Sequence, residues 1–109
     1  IDIVYYPKYQ TPEFYNATRR SDGGYGSLMS VVFRERDKAV PFFDALQVSK
    51  GPNLGTNFTL ACPFTILAHY DELDFVESCG VSRYLVRISV GMEEPEAIVE
   101  RFRQALRAC

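Results

Sequence analysis

The most informative stretch of this chain is Tyr84-Leu-Val-Arg-Ile-Ser-Val-Gly91, because it has the pattern of a buried β-strand with one arginine in its middle. Side chains alternate between the two faces of a strand, so Val86 and Ile88 are expected on an apolar face and Arg87 on the opposite face. A guanidinium carries five N–H donors in a planar fork that suits a carboxylate or a phosphate. Arg87 is therefore predicted to bind an anionic ligand, to form a structural ion pair, or to lie exposed on an edge strand.

Helices are predicted before and after this strand. Upstream, Asp71–Ser78 has helical spacing and is followed by Gly80, which is typical of a helix C-terminus. Downstream, Pro95 opens a longer helix behind two acidic residues that suit a helix N-terminus. One apolar stripe of that helix is expected to face the core. Its members are Ile98, Val99, Phe102, Ala105 and Leu106.

The N-terminal half adds strands and another helix. Strand patterns occur over Ile1–Tyr6, Ser27–Phe33 and Asn57–Ala61. A helix is predicted over Lys38–Leu46, with Asp37 as its N-cap. The order of elements predicts an α+β fold, in which a small mostly antiparallel sheet carries helices on one face. The other face would then be left for a partner domain.

A long irregular loop is predicted over residues 7–26, which are rich in Pro, Gly, Asn and charged residues. Four tyrosines lie in it or beside it: Tyr5, Tyr6, Tyr9 and Tyr15. A monomeric domain seldom displays so many aromatic rings on a loop. The loop is therefore expected either to pack against another domain or subunit, or to form a local satellite core.

Composition and charge limit the possible functions. The 109 residues are enough for one domain with its own core, and the net charge of −2, without a basic stripe, argues against a nucleic-acid partner. No apolar run is long enough to span a bilayer, and the N-terminus lacks the pattern of a signal peptide. The chain is expected to be cytoplasmic, without a membrane partner. It starts abruptly at Ile1, as expected of a cut end.

The cysteine and histidine content argues against a disulfide framework and against a metal site. Cys62, Cys79 and Cys109 are an odd number without a C-x-x-C pair, which favours reduced thiols. His69 is the only histidine, so a site with two histidine ligands cannot form within the chain. His69 is interpreted as a structural residue.

Four segments together resemble one known family. They are Tyr25-Gly-Ser-Leu-Met-Ser-Val31, Asn53-Leu-Gly-Thr-Asn-Phe-Thr-Leu60, residues 63–69, and Leu85-Val-Arg-Ile-Ser-Val-Gly-Met-Glu-Glu94. With these segments in this order and spacing, the chain resembles the C-terminal domain of the Cys/Met-metabolism pyridoxal-phosphate (PLP) enzymes. Its residues most resemble those of the fungal cystathionine γ-synthase-like branch. The resemblance covers nearly all of the chain. It implies that residues 1–109 are a single small C-terminal domain of a fold-type I PLP enzyme.

The resemblance implies roles for three residues in substrate binding. The arginine that matches Arg87 holds the α-carboxylate of the amino-acid substrate. Asn53 stands where many members carry a serine near the cofactor-linked lysine, and its amide offers a comparable hydrogen bond. Phe58 stands where transsulfuration members often carry a glutamate near the distal end of the substrate, so an apolar ring replaces a charged contact.

The same resemblance implies that other parts of the enzyme lie outside this sequence. Family members need a cofactor-linked lysine, a carboxylate at the pyridinium nitrogen and a phosphate cradle. The only lysines here are Lys8, Lys38 and Lys50, and none lies in a family-like Ser-x-x-Lys setting. No catalytic residue is therefore expected in this segment, no cofactor-binding residue can be named, and the large PLP-binding domain is expected elsewhere. The family also implies a homo-oligomer, a tetramer built from dimers.

The implied reaction is γ-replacement on a homoserine ester with cysteine as the incoming thiol, which gives cystathionine. Within the same enzyme class, a cystathionine or methionine γ-lyase, or a γ-substitution enzyme of secondary metabolism, is the nearest alternative because of Phe58. Two alternatives come from other classes. One is a free-standing module that binds an amino acid through Arg87, and the other is an inactive domain retained for oligomerisation.

Overall fold

The computed structural model describes all 109 residues, which form a five-stranded sheet and five α-helices. The strands are β1 (Ile3–Tyr5), β2 (Leu28–Val32), β3 (Ser49–Lys50), β4 (Leu60–Cys62) and β5 (Val86–Ser89). The helices are α1 (Pro12–Asn16), α2 (Ala39–Ala45), α3 (Phe64–Ala68), α4 (Leu73–Ser78) and α5 (Pro95–Ala108), with 3₁₀ turns at Arg36–Lys38 and Tyr70–Glu72. The strand order is β1-β2-β5-β4-β3. All pairs are antiparallel except β3 with β4, so the predicted α+β class with a mostly antiparallel sheet is confirmed.

Strand β5 is the central strand, and its alternation divides the sheet as predicted. Ile88 lies opposite Met29 of β2 and Ala61 of β4, whereas Arg87 lies opposite Ser30 and Cys62. Directly opposed residues in antiparallel strands point to the same face. The row through Ile88 therefore faces the core, and the row through Arg87 faces away from it.

Helices α2 and α5 cover the core face of the sheet. Phe42 of α2 is fully buried, and its ring centroid lies 5.0 Å from that of Phe33 and 6.1 Å from that of Phe102 in α5. Ala105 has no exposed surface, and it belongs to the same apolar cluster as Val86 and Ile88. The core is thus a single layer between two helices and the central strands. Helix α5, with 14 residues, is the longest helix, and none is long and apolar enough to cross a membrane.

Some predicted boundaries and orientations were wrong. In α5, Val99 and Leu106 are 46% and 40% exposed, so only part of the predicted stripe faces the core. The chain forms a 3₁₀ turn before α2, and Asp37 lies inside that turn rather than capping the helix. The strand predicted over Asn57–Ala61 begins only at Leu60, because the preceding residues bond to the segment after β5 instead of to a neighbouring strand. Gly80 follows α4 with φ +88°, as predicted for a helix terminus.

The loop over residues 7–26 contains helix α1 and a cluster of aromatic rings. The Tyr25 ring lies 5.6 Å from the Tyr15 ring and 6.3 Å from the Tyr6 ring, and Tyr6 donates its hydroxyl hydrogen bond to the Gly26 carbonyl. These rings pack on one another, but no residue of the loop is buried, so both possibilities that the sequence left stay open. Phe14 still exposes 73% of its surface, so packing of this loop against another domain stays a prediction.

Candidate functional site

Arg87 lies at the middle of the central strand, on the face away from the core, and is half-buried. Its Nη2 donates a hydrogen bond to the backbone carbonyl of Pro52. The ring of Phe64, at the start of α3, lies 5.1 Å from the guanidinium carbon, which is within the range of a cation–π contact. A carbonyl and an aromatic face therefore orient the guanidinium, and both come from outside the strand.

Arg87 has no acidic partner. The ion pairs of the chain all involve other residues, and β5 is not an edge strand. The edge-strand alternative for this arginine is therefore wrong, and no acidic residue of this chain forms the ion pair of the other alternative. Arg83 shows what a structural pair looks like in this fold, because it pairs with Asp74 and, at 2.8 Å, with Glu77. The hydrogen bond from Arg83 holds the pKa of the Glu77 carboxyl below its usual value.

A loop over residues 51–59, called here the 51–59 loop, crosses the Arg87 face of the sheet. Its first residue, Gly51, donates a backbone hydrogen bond of 3.0 Å to the Ala61 carbonyl. Gly55 has φ +74° and donates its N–H to Ser89 Oγ at 2.9 Å. A left-handed backbone at this position favours glycine, which lets the chain turn toward the strand. The predicted uncovered face is thus partly covered by the chain itself, through this loop and Phe64.

The end of the 51–59 loop is bonded to the segment that follows β5. The backbone N–H and the hydroxyl of Thr59 donate to the two carboxylate oxygens of Glu93, at 2.7 and 2.8 Å. The Gly91 N–H donates to Thr59 Oγ at 3.0 Å. The Thr59 backbone hydrogen bond is the main reason that the pKa of the Glu93 carboxyl lies below its usual value.

Gly91 is tightly packed against the loop. A Cβ at this position would lie 2.4 Å from the carbonyl carbon of Phe58 and 2.5 Å from both the Phe58 Cα and Glu93 Oε2. Real Cβ atoms do not approach backbone atoms this closely. Glycine is therefore required here by space.

The two other predicted substrate residues both lie on the 51–59 loop, on its exposed side. Asn53 follows Pro52, the residue whose carbonyl binds Arg87, and its own side chain forms no hydrogen bond within the chain. Phe58 lies at the opposite end of the loop and is 45% exposed. The structure therefore brings both residues onto the segment that crosses the Arg87 face, and their roles stay predictions.

Comparison with known proteins gives close relatives in sequence. No family model matches the chain. The chain is 48% identical over 108 residues to cystathionine γ-synthase of Neurospora crassa, which covers 98% of the chain and 17% of that protein. It is 47% identical over 108 residues to the cystathionine γ-synthase-like protein ankD of Aspergillus thermomutatus, which covers 98% of the chain and 19% of that protein. The chain belongs to the cystathionine γ-synthase-like family.

Solved structures support the same family assignment. Cystathionine γ-synthase of Xanthomonas oryzae pv. oryzae, in complex with cystathionine, matches with a TM-score of 0.79 at 27% identity, over 98% of this chain and 28% of that one. A Campylobacter jejuni structure that contains N′-pyridoxyl-lysine-5′-monophosphate matches in fold with a TM-score of 0.78 at 20% identity, over 95% of this chain and 25% of that one. The chain thus spans about a fifth of the curated relatives' length and about a quarter of the solved chains. The predicted membership of a PLP-dependent enzyme family is confirmed.

The lysines of this cystathionine γ-synthase-like chain do not form a site for the family's cofactor. Lys50 donates to the Leu46 carbonyl at 2.6 Å, and Lys38 donates to the Cys109 carbonyl at 3.4 Å. Lys8 lies 6.0 Å from the centre of the Tyr9 ring. None of these lysines is grouped with a carboxylate and a phosphate-binding loop. The residues of this chain therefore do not form a binding site for PLP.

Cys62 lies beside the site as a buried thiol. It is buried in β4 directly opposite Arg87. Burial raises the pKa of its thiol, and the nearby Arg87 charge offsets this only in part. A buried thiol with a raised pKa is a poor nucleophile at neutral pH.

Sequence reasoning missed four residues of the site. Ser89 shares the Arg87 face by simple alternation, so it could have been identified from the strand pattern. Glu93 was noted only as an acidic residue before a helix, and nothing local indicates that it binds Thr59. The Pro52 carbonyl and the Phe64 ring had no sequence signal at all, because only the folding of the chain over the sheet brings them to Arg87.

Proposed function

We propose that this chain is the small C-terminal domain of a PLP-dependent transsulfuration enzyme, and that Arg87 binds the α-carboxylate of its amino-acid substrate. The enzyme is proposed to be a cystathionine γ-synthase, which replaces the activated hydroxyl of a homoserine ester by the thiol of cysteine. The observation that carries the proposal is a half-buried arginine, at the centre of the sheet, that has no acidic partner.

The geometry at Arg87 leaves donors free for a ligand. One Nη2 hydrogen bond goes to the Pro52 carbonyl, and the guanidinium forms no other hydrogen bond in the chain. A carboxylate accepts two parallel N–H bonds from such a fork, and these charge-assisted bonds are stronger than neutral ones. Contact with the Phe64 ring restricts the guanidinium plane, so less side-chain entropy is lost when the ligand binds.

The rest of the enzyme is assigned to parts outside this chain. We propose that a large domain holds PLP and the catalytic groups, since the lysines here are engaged elsewhere. A cytoplasmic homo-oligomer, a tetramer as in the family resemblance, is proposed for the whole protein. Asn53 and Phe58 are proposed to line the substrate site from the 51–59 loop, with the Asn53 amide near the reacting end and Phe58 near the distal end.

A second candidate is a γ-lyase or a γ-substitution enzyme of secondary metabolism. The exposed phenyl group of Phe58 favours a member of this group whose substrate has an uncharged distal end, such as a methionine γ-lyase, because an apolar ring offers no charge for a distal ammonium group. The relatives also include proteins described only as cystathionine γ-synthase-like. The two candidates are separated by supplying the full-length enzyme with a homoserine ester, with and without cysteine. Cystathionine as the main product when cysteine is present supports the synthase, and an oxo acid with ammonia as the main products even when cysteine is present supports the lyase.

The carboxylate role is tested by Arg87→Ala in the full-length enzyme. Two charged hydrogen bonds lost together correspond to about 3 kcal/mol, so KM for the amino-acid substrate should rise roughly 100-fold. Arg20→Ala is the matched control, because the Arg20 side chain is 88% exposed and forms only a long contact of 3.9 Å with Asp22. Unchanged KM in Arg87→Ala would reject the role, and would favour a domain retained for oligomerisation.

A further inference from the structure

We infer that Glu93 is a positioning residue for Arg87: by holding Thr59, it keeps the 51–59 loop on the sheet, and the loop in turn orients the guanidinium. This inference rests on the proposed role of Arg87 in carboxylate binding. Glu93 lies two residues after Gly91, whose N–H also binds Thr59. Its carboxylate makes no contact with the Arg87 guanidinium.

The loop is attached to one face of the central strand at three successive positions. Arg87, Ser89 and Gly91 are spaced by two residues and therefore share that face. They bind Pro52, Gly55 and Thr59 of the loop, in the same order. The loop is thus aligned along the strand, and release of one end weakens the next attachment.

Thr59 is the best-anchored point of the loop, and Glu93 is the reason. Thr59 is only 1% exposed, and its hydroxyl accepts from the Gly91 N–H while it donates to Glu93. Glu93 also takes the Thr59 N–H, so both carboxylate oxygens are used on this single residue. Without the carboxylate, the buried N–H and hydroxyl lose their acceptors, and this makes the closed loop less favourable.

Loop release should act on substrate binding through Arg87. With the loop open, the guanidinium loses its Pro52 acceptor and samples other rotamers. The apparent affinity is proportional to the fraction of molecules in which the loop is closed. A loop that is closed in only one molecule in ten therefore raises KM about tenfold. The turnover number of the bound complex should change little, because Glu93 touches no reacting group.

The test is a double-mutant cycle in the full-length enzyme, with Glu93→Ala, Arg87→Ala and both together. Glu93→Ala should raise KM for the amino-acid substrate about tenfold, with kcat within about twofold. In the Arg87→Ala background, the same change should add less than about twofold, since the residue through which it acts is gone. Glu94→Ala is the matched control, because Glu94 is exposed and, unlike Glu93, forms no hydrogen bond with the loop.

The outcomes separate this inference from the proposed function. A tenfold effect of Glu93→Ala that persists without Arg87 would show a merely structural role and overturn the inference. Unchanged KM in Glu93→Ala, beside a large rise in Arg87→Ala, would also overturn it and leave the carboxylate role intact. Unchanged KM in Arg87→Ala would reject the carboxylate role itself.

A second pair of variants covers the case in which Glu93→Ala does not fold. Thr59→Val removes the hydroxyl but keeps the backbone N–H, whereas Thr59→Ser keeps both donors to Glu93. Thr59→Val should raise KM in the same direction as Glu93→Ala, and Thr59→Ser should restore it to within about twofold of the parent enzyme. Equal KM values for the two variants would contradict the inference.

Discussion

Substitution of Gly91 by alanine tests the attachment of the 51–59 loop to the central strand. The added Cβ would lie 2.4 and 2.5 Å from two backbone atoms of Phe58 and 2.5 Å from Glu93 Oε2. Gly91 does not have a positive φ, so alanine is allowed by the local backbone and the effect comes from space alone. Since a backbone segment cannot rotate out of the way as a side chain can, the loop itself must move.

The magnitude follows from the contacts that are disturbed. Overpacking of this kind costs about 1–3 kcal/mol. Movement of the loop also strains the Gly91–Thr59 and Thr59–Glu93 hydrogen bonds, of which those to the carboxylate are each worth roughly 1.5–3 kcal/mol. Partial loss of these bonds brings the expected cost of loop closure to about 3 kcal/mol in total. That corresponds to roughly 100-fold faster exchange of the amides that only the closed loop protects.

Hydrogen–deuterium exchange of the full-length protein is the assay. Peptides over residues 51–62 and 86–94 contain the relevant amides, including those of Gly55, Thr59 and Gly91. Gly24→Ala is the matched control, because a Cβ at that glycine meets no atom within 4 Å. Peptides of α5 report whether any change is local to the loop.

Equal exchange of Gly91→Ala and Gly24→Ala in both peptides would contradict this prediction. In that case the backbone of Phe58 does not press on Gly91, and the loop is not held there. Equal acceleration in α5 would show global destabilisation instead of local loop release, which would also contradict the proposed mechanism.

Three further predictions concern the apolar core, the effect of low pH on the 51–59 loop, and the reactivity of the Cys62 thiol. Phe42→Ala removes a fully buried ring and should destabilise the domain by about 3–5 kcal/mol, which lowers the melting temperature. Phe14→Ala, at an exposed phenylalanine, is the control. An equal decrease of the melting temperature in the two variants would contradict the core assignment. The pKa of Glu93 is lowered in the folded state, so its ionised carboxylate stabilises the closed loop. This stabilisation is complete above the ordinary carboxyl pKa of about 4.3, and it is lost as the pH falls through the lower pKa of the folded state. Exchange of the 51–59 loop, corrected for intrinsic rates, should therefore accelerate at low pH, and Glu93→Gln should lack this acceleration; an identical acid response in that variant would assign it to other groups. Cys62 is buried and has a raised thiol pKa, so iodoacetamide followed by mass spectrometry should modify it only after denaturation, and rapid labelling of the native protein would show that β4 opens.

Much of the fold was predictable because it follows from local periodicity. The alternation around Arg87 gave the correct core face of β5, and Pro95 correctly opened α5. The α5 stripe was only partly correct, since Val99 and Leu106 remain exposed. A helical stripe shows which side of the helix is apolar. How many residues of the stripe are buried depends on how much of the neighbouring helix and sheet packs against them.

The site was less predictable than the fold. Arg87 was identified from its own strand, and Asn53 and Phe58 came from the family resemblance. The choice between an ion pair and a free guanidinium needed the tertiary structure, because Glu77 and Asp74 could equally have paired with any nearby arginine. They pair with Arg83, which leaves Arg87 without a carboxylate.

The α+β class, the strand that contains Arg87 and the family follow from the sequence alone, because short periodic patterns and contiguous motifs indicate them. The central place of that strand in the sheet is known only from the fold. The surroundings of Arg87 likewise depend on the tertiary structure. Pro52 lies 35 residues before Arg87, and Thr59 lies 34 residues before Glu93. Hydrogen bonds across such separations depend on how the whole chain folds over the sheet, and no local pattern encodes them.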